Sequence, residues 1–133
     1  MILTDTKNEM ICENLARSES GELCFAGMAL TPLAKQYGTP LYLYDEARIR
    51  ERIRTYKSAV ASAFGDKGVV LYASKAASFK RLYEIMREEN MGIDVVSRGE
   101  IYTAIKAGFP LEKGVIYAKL SSSDMDHRPR SAQ

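Results

Sequence analysis

The chain has 133 residues, 46% of them apolar and 27% charged, with a net charge of +2. That balance belongs to one modest globular domain. Basic residues are interleaved with acidic ones, so no nucleic-acid footprint is expected. No apolar run approaches the ~20 residues of a membrane helix. The start, "MILTDTKNEM", lacks the basic-then-apolar layout of a secretion signal. Cys12 and Cys24 lack metal-ligand spacing. They read as reduced thiols of a cytoplasmic protein, and no metal site is expected.

Residues 1–30 read as an irregular segment of short extended pieces around a turn at Ser20–Gly21. In "TPLAKQYG", Thr31 suits an N-cap, Pro32 the first helical position and Gly38 a left-handed stop. "TPLYLYD" reads as a short strand. Ile49, Ile53, Tyr56, Val60 and Phe64 then form an apolar stripe at helical spacing, ended by "GDKG". The basic residues around that stripe, Arg48 to Lys57, read as a solvated helix face.

"VVLYAS" (Val69–Ser74) is continuously apolar, the pattern of a parallel strand covered on both faces. A helix over 78–90 follows, with Phe79, Leu82, Tyr83 and Met86 on one side. "MGIDVVS" reads as a strand, "RGEIYTAIKAG" as a helix stopped by Gly108, and "GVIYA" as a strand. Strand starts near residues 69, 93 and 115 suit consecutive βαβ units. The fold class is therefore α/β: an incomplete (β/α) barrel of about three units with parallel strands, or the start of an open parallel sheet. After Ala118 "KLSSSDMDHRPRSAQ" offers almost nothing to bury and is expected to be disordered. The domain reading is 1–38 for an N-terminal extension, 39–118 for a partial barrel and 119–133 for a divergent tail.

Three residues stand where chemistry is done. Lys75 closes the strand over 69–74, at the end where α/β proteins bind ligands. Partial burial would favour its neutral amine, which can attack an aldehyde and form a Schiff base. The plainer alternative is a lysine that starts a loop and reaches water. Asp94 interrupts an apolar strand and must find a partner or face a cleft. Glu100 stands three residues after Ser97, as in a capping box, and capping is the favoured reading of its spacing. A helix start facing the cleft would let both roles coexist. Lys119 repeats the strand-end pattern without an acidic partner, and His127, the single histidine, lies in the polar tail. Neither is assigned a role. No glycine-rich phosphate motif is present.

"YGTPLYLYD" (Tyr37–Asp45), "YASKA" (Tyr72–Ala76) and "DVVSRGEIYTAIKAGFP" (Asp94–Pro110) together resemble the N-terminal part of the diaminopimelate decarboxylases. These are pyridoxal-phosphate enzymes built on an alanine-racemase-like barrel, and the resemblance covers about residues 11–118. It implies that Lys75 holds pyridoxal phosphate covalently and that Asp94 and Glu100 shape the cofactor pocket. It implies an amino-acid substrate, meso-diaminopimelate, decarboxylated to L-lysine, and a homodimer in the intact family.

The family's histidine that stacks on the cofactor, its phosphate loop and its β-domain have no counterpart here. A closed barrel needs ~250 residues. A truncated or frameshifted product is therefore expected, to be tested by translating the downstream DNA in all frames. For the chain alone the expectation is weak, unselective labelling by pyridoxal phosphate and borohydride, and no measurable decarboxylation. Two alternatives stay open: a non-catalytic fragment packed on a partner chain, and a fragment of an ornithine, arginine or polyamine decarboxylase.

Overall fold

The computed structural model describes residues 13–110 and the strand Val115–Ile116. The expectations for Cys12, Lys119, His127 and the tail lie outside the described residues. The chain divides into two compact units, Met1–Glu46 and Ala47–Gln133.

In the first unit, β1 (Leu15–Arg17), β2 (Leu23–Phe25) and β3 (Met28–Ala29) form an antiparallel sheet in that order. The turn expected at Ser20–Gly21 joins β1 to β2, with Gly21 at φ +83°. Helix α1 (Leu30–Tyr37) follows β3 without a gap, and this overturns the cap expected at Thr31. The N-cap is Ala29, which makes no side-chain bond. Thr31 and Pro32 lie inside the first turn, where a missing proline N–H costs no helical bond. Gly38 closes the helix at φ +82° and donates its N–H to the Ala34 carbonyl. The strand expected over 39–45 does not form among the described residues. Leu41, Tyr42 and Tyr44 are exposed there. Strand propensity records packing on a neighbour as much as backbone preference, and this segment joins no ladder.

In the second unit, α2 (Glu46–Phe64) leads to β4 (Leu71–Ala73), α3 (Lys80–Glu88), β5 (Gly92–Val95), α4 (Arg98–Lys106) and β6 (Val115–Ile116). The three strands are parallel in the order β4-β5-β6. This is the repeated βαβ pattern read from the strand spacing. Tyr72 lies beside Ile93, and Ala73 beside Asp94. Ile93 and Val95 are fully buried and share one core with Leu82, Tyr83, Ile85 and Met86 of α3 and Ala104 of α4. Alternation puts Leu71, Ala73, Gly92 and Asp94 on the other face. Those four are only half-buried. The strand after Gly68 is therefore not sealed on both sides, as its apolar run implied. It is a sheet edge with one half-open face, and Val69 just before it is exposed.

Helix α2 also differs from expectation. Ile53 is buried and Ile49 packs on the core, but Tyr56 and Phe64 are exposed. The buried face is turned towards Ile53 and Lys57, away from the Tyr56 side. The cause is a set of charges at the end of α3. Arg54 donates two bonds to the Glu89 carboxylate, at 2.9 and 2.7 Å, and Arg50 donates to Glu89 at 3.0 Å and to Glu88. Lys57 Nζ donates to the carbonyls of Glu89 (2.8 Å) and Asn90 (3.2 Å). Three cations of α2 thus cap the carboxyl end of α3, where the helix dipole favours positive charge. That part of the basic run forms a clasp, although the Arg54 side chain stays exposed.

Candidate functional site

The carboxyl ends of β4 and β5 bring the sequence candidates to one rim. Beyond Ala73 the chain turns through a short 3-10 segment, Ser74–Ala76. Two bonds hold this turn. Ser78 Oγ donates to the Ser74 carbonyl at 2.7 Å, and the Tyr72 hydroxyl donates to the Ala77 carbonyl at 3.0 Å. Lys75 is exposed on it.

Asp94 lies on the half-open sheet face beside Ala73. Lys75 lies two residues beyond Ala73, in the 3-10 turn that leaves β4. The lysine and the acid therefore stand at the carboxyl ends of adjacent parallel strands. Asp94 Oδ1 is buried and has no hydrogen-bond partner among the described residues. A buried carboxylate oxygen left unpaired is costly, and such an atom at a rim is a ready acceptor for a ligand.

Glu100 has a different task. Its Oε2 accepts from the backbone N–H of Val96 (2.7 Å) and of Ser97 (3.2 Å), while Ser97 Oγ accepts from the Glu100 N–H at 3.2 Å. This is the capping box favoured by the spacing, and it fixes the start of α4 just past β5. With its carboxylate turned onto the backbone, Glu100 is buried.

Ser74 escaped the sequence reading. Its side chain is fully buried and its Oγ lacks a partner among the described residues, beside the exposed Lys75. Alternation from Tyr72 already placed position 74 on the packed face, which was the available signal.

An exposed strand-end lysine, an unpaired acid on the adjacent parallel strand and a capped helix start suit a small-molecule site of a βα protein. The family model for pyridoxal-dependent decarboxylases, pyridoxal binding domain, matches residues 46–126, and the chain belongs to that family. It is 48% identical to diaminopimelate decarboxylase of Bacillus subtilis over 97 residues, which cover 73% of this chain and 22% of that enzyme. The Mycobacterium tuberculosis diaminopimelate decarboxylase is 38% identical over 109 residues, 82% of this chain and 24% of the relative.

Among solved structures, diaminopimelate decarboxylase from M. jannaschii superposes with a TM-score of 0.69 at 26% identity, covering 80% of this chain and 25% of that one. A structure of that enzyme with L-lysine superposes at 0.60 and 27% identity, covering 78% of this chain and 24% of that one. The chain therefore spans about a quarter or less of the relatives it matches.

The family is pyridoxal-dependent, and the residues present fit such a cofactor. Lys75 offers an accessible amine to an aldehyde, and Asp94 Oδ1 offers an acceptor that no described residue uses. Among the described residues no helix is long and apolar enough to cross a membrane.

Proposed function

We propose that this chain carries the lysine-bearing part of the pyridoxal-phosphate site of a cytoplasmic diaminopimelate decarboxylase. Its segment over 39–118 contributes the first parallel strands of the barrel. The reaction is loss of carbon dioxide from meso-diaminopimelate to give L-lysine, and the complete enzyme works as a homodimer. The observation that carries the reading is that Lys75 follows β4 two residues after Ala73, the register partner of Asp94 on the adjacent parallel strand, within a segment 48% identical to such an enzyme.

Lys75 would hold the cofactor through its Nζ. When bound there, pyridoxal phosphate supplies an electron sink for breaking the bond to the carboxylate. Asp94 Oδ1 would take a hydrogen bond from the bound groups and favour a protonated nitrogen near it. Glu100 acts indirectly, because its two backbone bonds hold the β5–α4 turn that shapes the rim.

A segment exchange tests this. The 97 matched residues replace their counterpart in the B. subtilis enzyme, and carbon dioxide release is measured with meso-diaminopimelate and with ornithine. The expected result is turnover of meso-diaminopimelate and not of ornithine, with a loss of at least a thousandfold in Lys75→Ala. A folded exchange protein that decarboxylates ornithine instead would sink the substrate assignment. Undiminished turnover in Lys75→Ala would sink the role of the lysine.

A further inference from the structure

At the opposite end of the same strands lies a pocket of about 380 Å³. Val70 and Met91, just before β4 and just before β5, form part of its wall, with Val60 of α2 and Phe109 after α4. Two cations, Lys57 and Arg87, also line it. Lys75 and Asp94 do not line it.

The two cations are unusual in their partners. Among the described residues, Lys57 Nζ donates only to the carbonyls of Glu89 and Asn90. Arg87 uses one nitrogen, NH1, which donates to the carbonyls of Ala107 (2.9 Å) and Gly108 (3.4 Å). Among the described residues neither meets a carboxylate, while the other arginines nearby, Arg50, Arg54 and Arg81, all do. The Nε and NH2 edge of Arg87 therefore keeps its donors, and that edge receives a carboxylate through two parallel bonds. Lys57 keeps one further N–H. Both side chains are anchored by their carbonyl bonds, so a ligand would have little of their freedom to freeze.

We propose that this pocket binds a small organic carboxylate with an apolar body. The carboxylate meets Arg87 and Lys57, and the body lies against Val60, Val70, Met91 and Phe109. Such a ligand would touch the carboxyl ends of α2 and α3 and the segment after α4 at once. It would therefore stabilise the folded state by linkage.

The test is methyl-resolved NMR titration of the full chain with 3-phenylpropionate, with neutral 3-phenylpropanol and with inorganic phosphate. Saturable shifts confined to methyls that line the pocket, those of Val60, Ala61, Val69, Val70 and Met91, are expected with the carboxylate. Binding should be at least tenfold weaker with the alcohol and with phosphate. Arg87→Gln should weaken the carboxylate at least tenfold and leave the alcohol unchanged. Absence of saturable shifts with 3-phenylpropionate would overturn the proposal, as would equal binding of the alcohol. If phosphate binds as well as the carboxylate, the apolar wall is not part of the site and the proposal also fails. The comparison among the three ligands on the unaltered chain holds even if the variant does not fold.

Discussion

Gly68 shows how closely single residues are fitted. A Cβ there would lie 2.4 Å from Val60 Cγ1 and 3.1 Å from Phe64 Cβ. Its φ of −88° suits any residue, so space and not backbone freedom demands glycine. The clashing methyl belongs to a β-branched side chain with few rotamers to escape into. Gly68→Ala should cost ~1–3 kcal/mol in urea unfolding, and an unchanged midpoint would show that α2 yields at this point. Tyr83 tests the opposite case. Its ring is fully buried, but its hydroxyl has no partner among the described residues. Tyr83→Phe should therefore leave stability unchanged or raise it by ~1 kcal/mol, and a loss of stability would reveal a partner for that hydroxyl. At this scale Lys75 and Asp94 were legible because a charge at the end of an apolar run is conspicuous. Ser74 was not, since a small polar residue at a strand end reads as ordinary turn chemistry.

The clasp between α2 and α3 is the main electrostatic feature at the scale of elements. Hydrogen bonds from Arg54 and then Arg50, with their positive charge, lower the Glu89 carboxyl from 4.5 to about 2. The Glu88 carboxyl is also lowered, by its bonds to Arg50 and then Arg81. An unfolded chain takes up the Glu89 proton below about pH 4.5, whereas the folded chain holds it off until about pH 2. Stability from this group is complete above the upper value and is lost as pH falls towards the lower one. Glu89→Gln should flatten the decline in the urea midpoint between pH 5 and pH 2, and wild-type and variant curves that run parallel would refute the assignment.

Helical spacing found α2 itself, but the stripe of Ile49, Ile53, Tyr56, Val60 and Phe64 mis-stated which face is buried. Hydrophobic periodicity counts apolar residues, and here Arg50, Arg54 and Lys57 bind the carboxyl end of α3 instead. The strand expected over 39–45 failed for a related reason: composition shows that a segment can join a sheet, not that one is beside it. The parallel order β4-β5-β6 was legible because strand spacing leaves room for one crossover helix each time.

In the molecule as a whole, Lys75 is proposed as the residue through which a pyridoxal-dependent decarboxylase holds its cofactor. The matched segment covers 22% of the B. subtilis enzyme, so the claim is best tested where the rest of that enzyme surrounds it. In the exchange protein, pyridoxal phosphate can be fixed with borohydride and the digest mapped by mass spectrometry. A single modified peptide is expected, the one containing Lys75, and no such mark in Lys75→Ala. A mark on Lys80 or Lys106, or one that survives in the alanine variant, would contradict it.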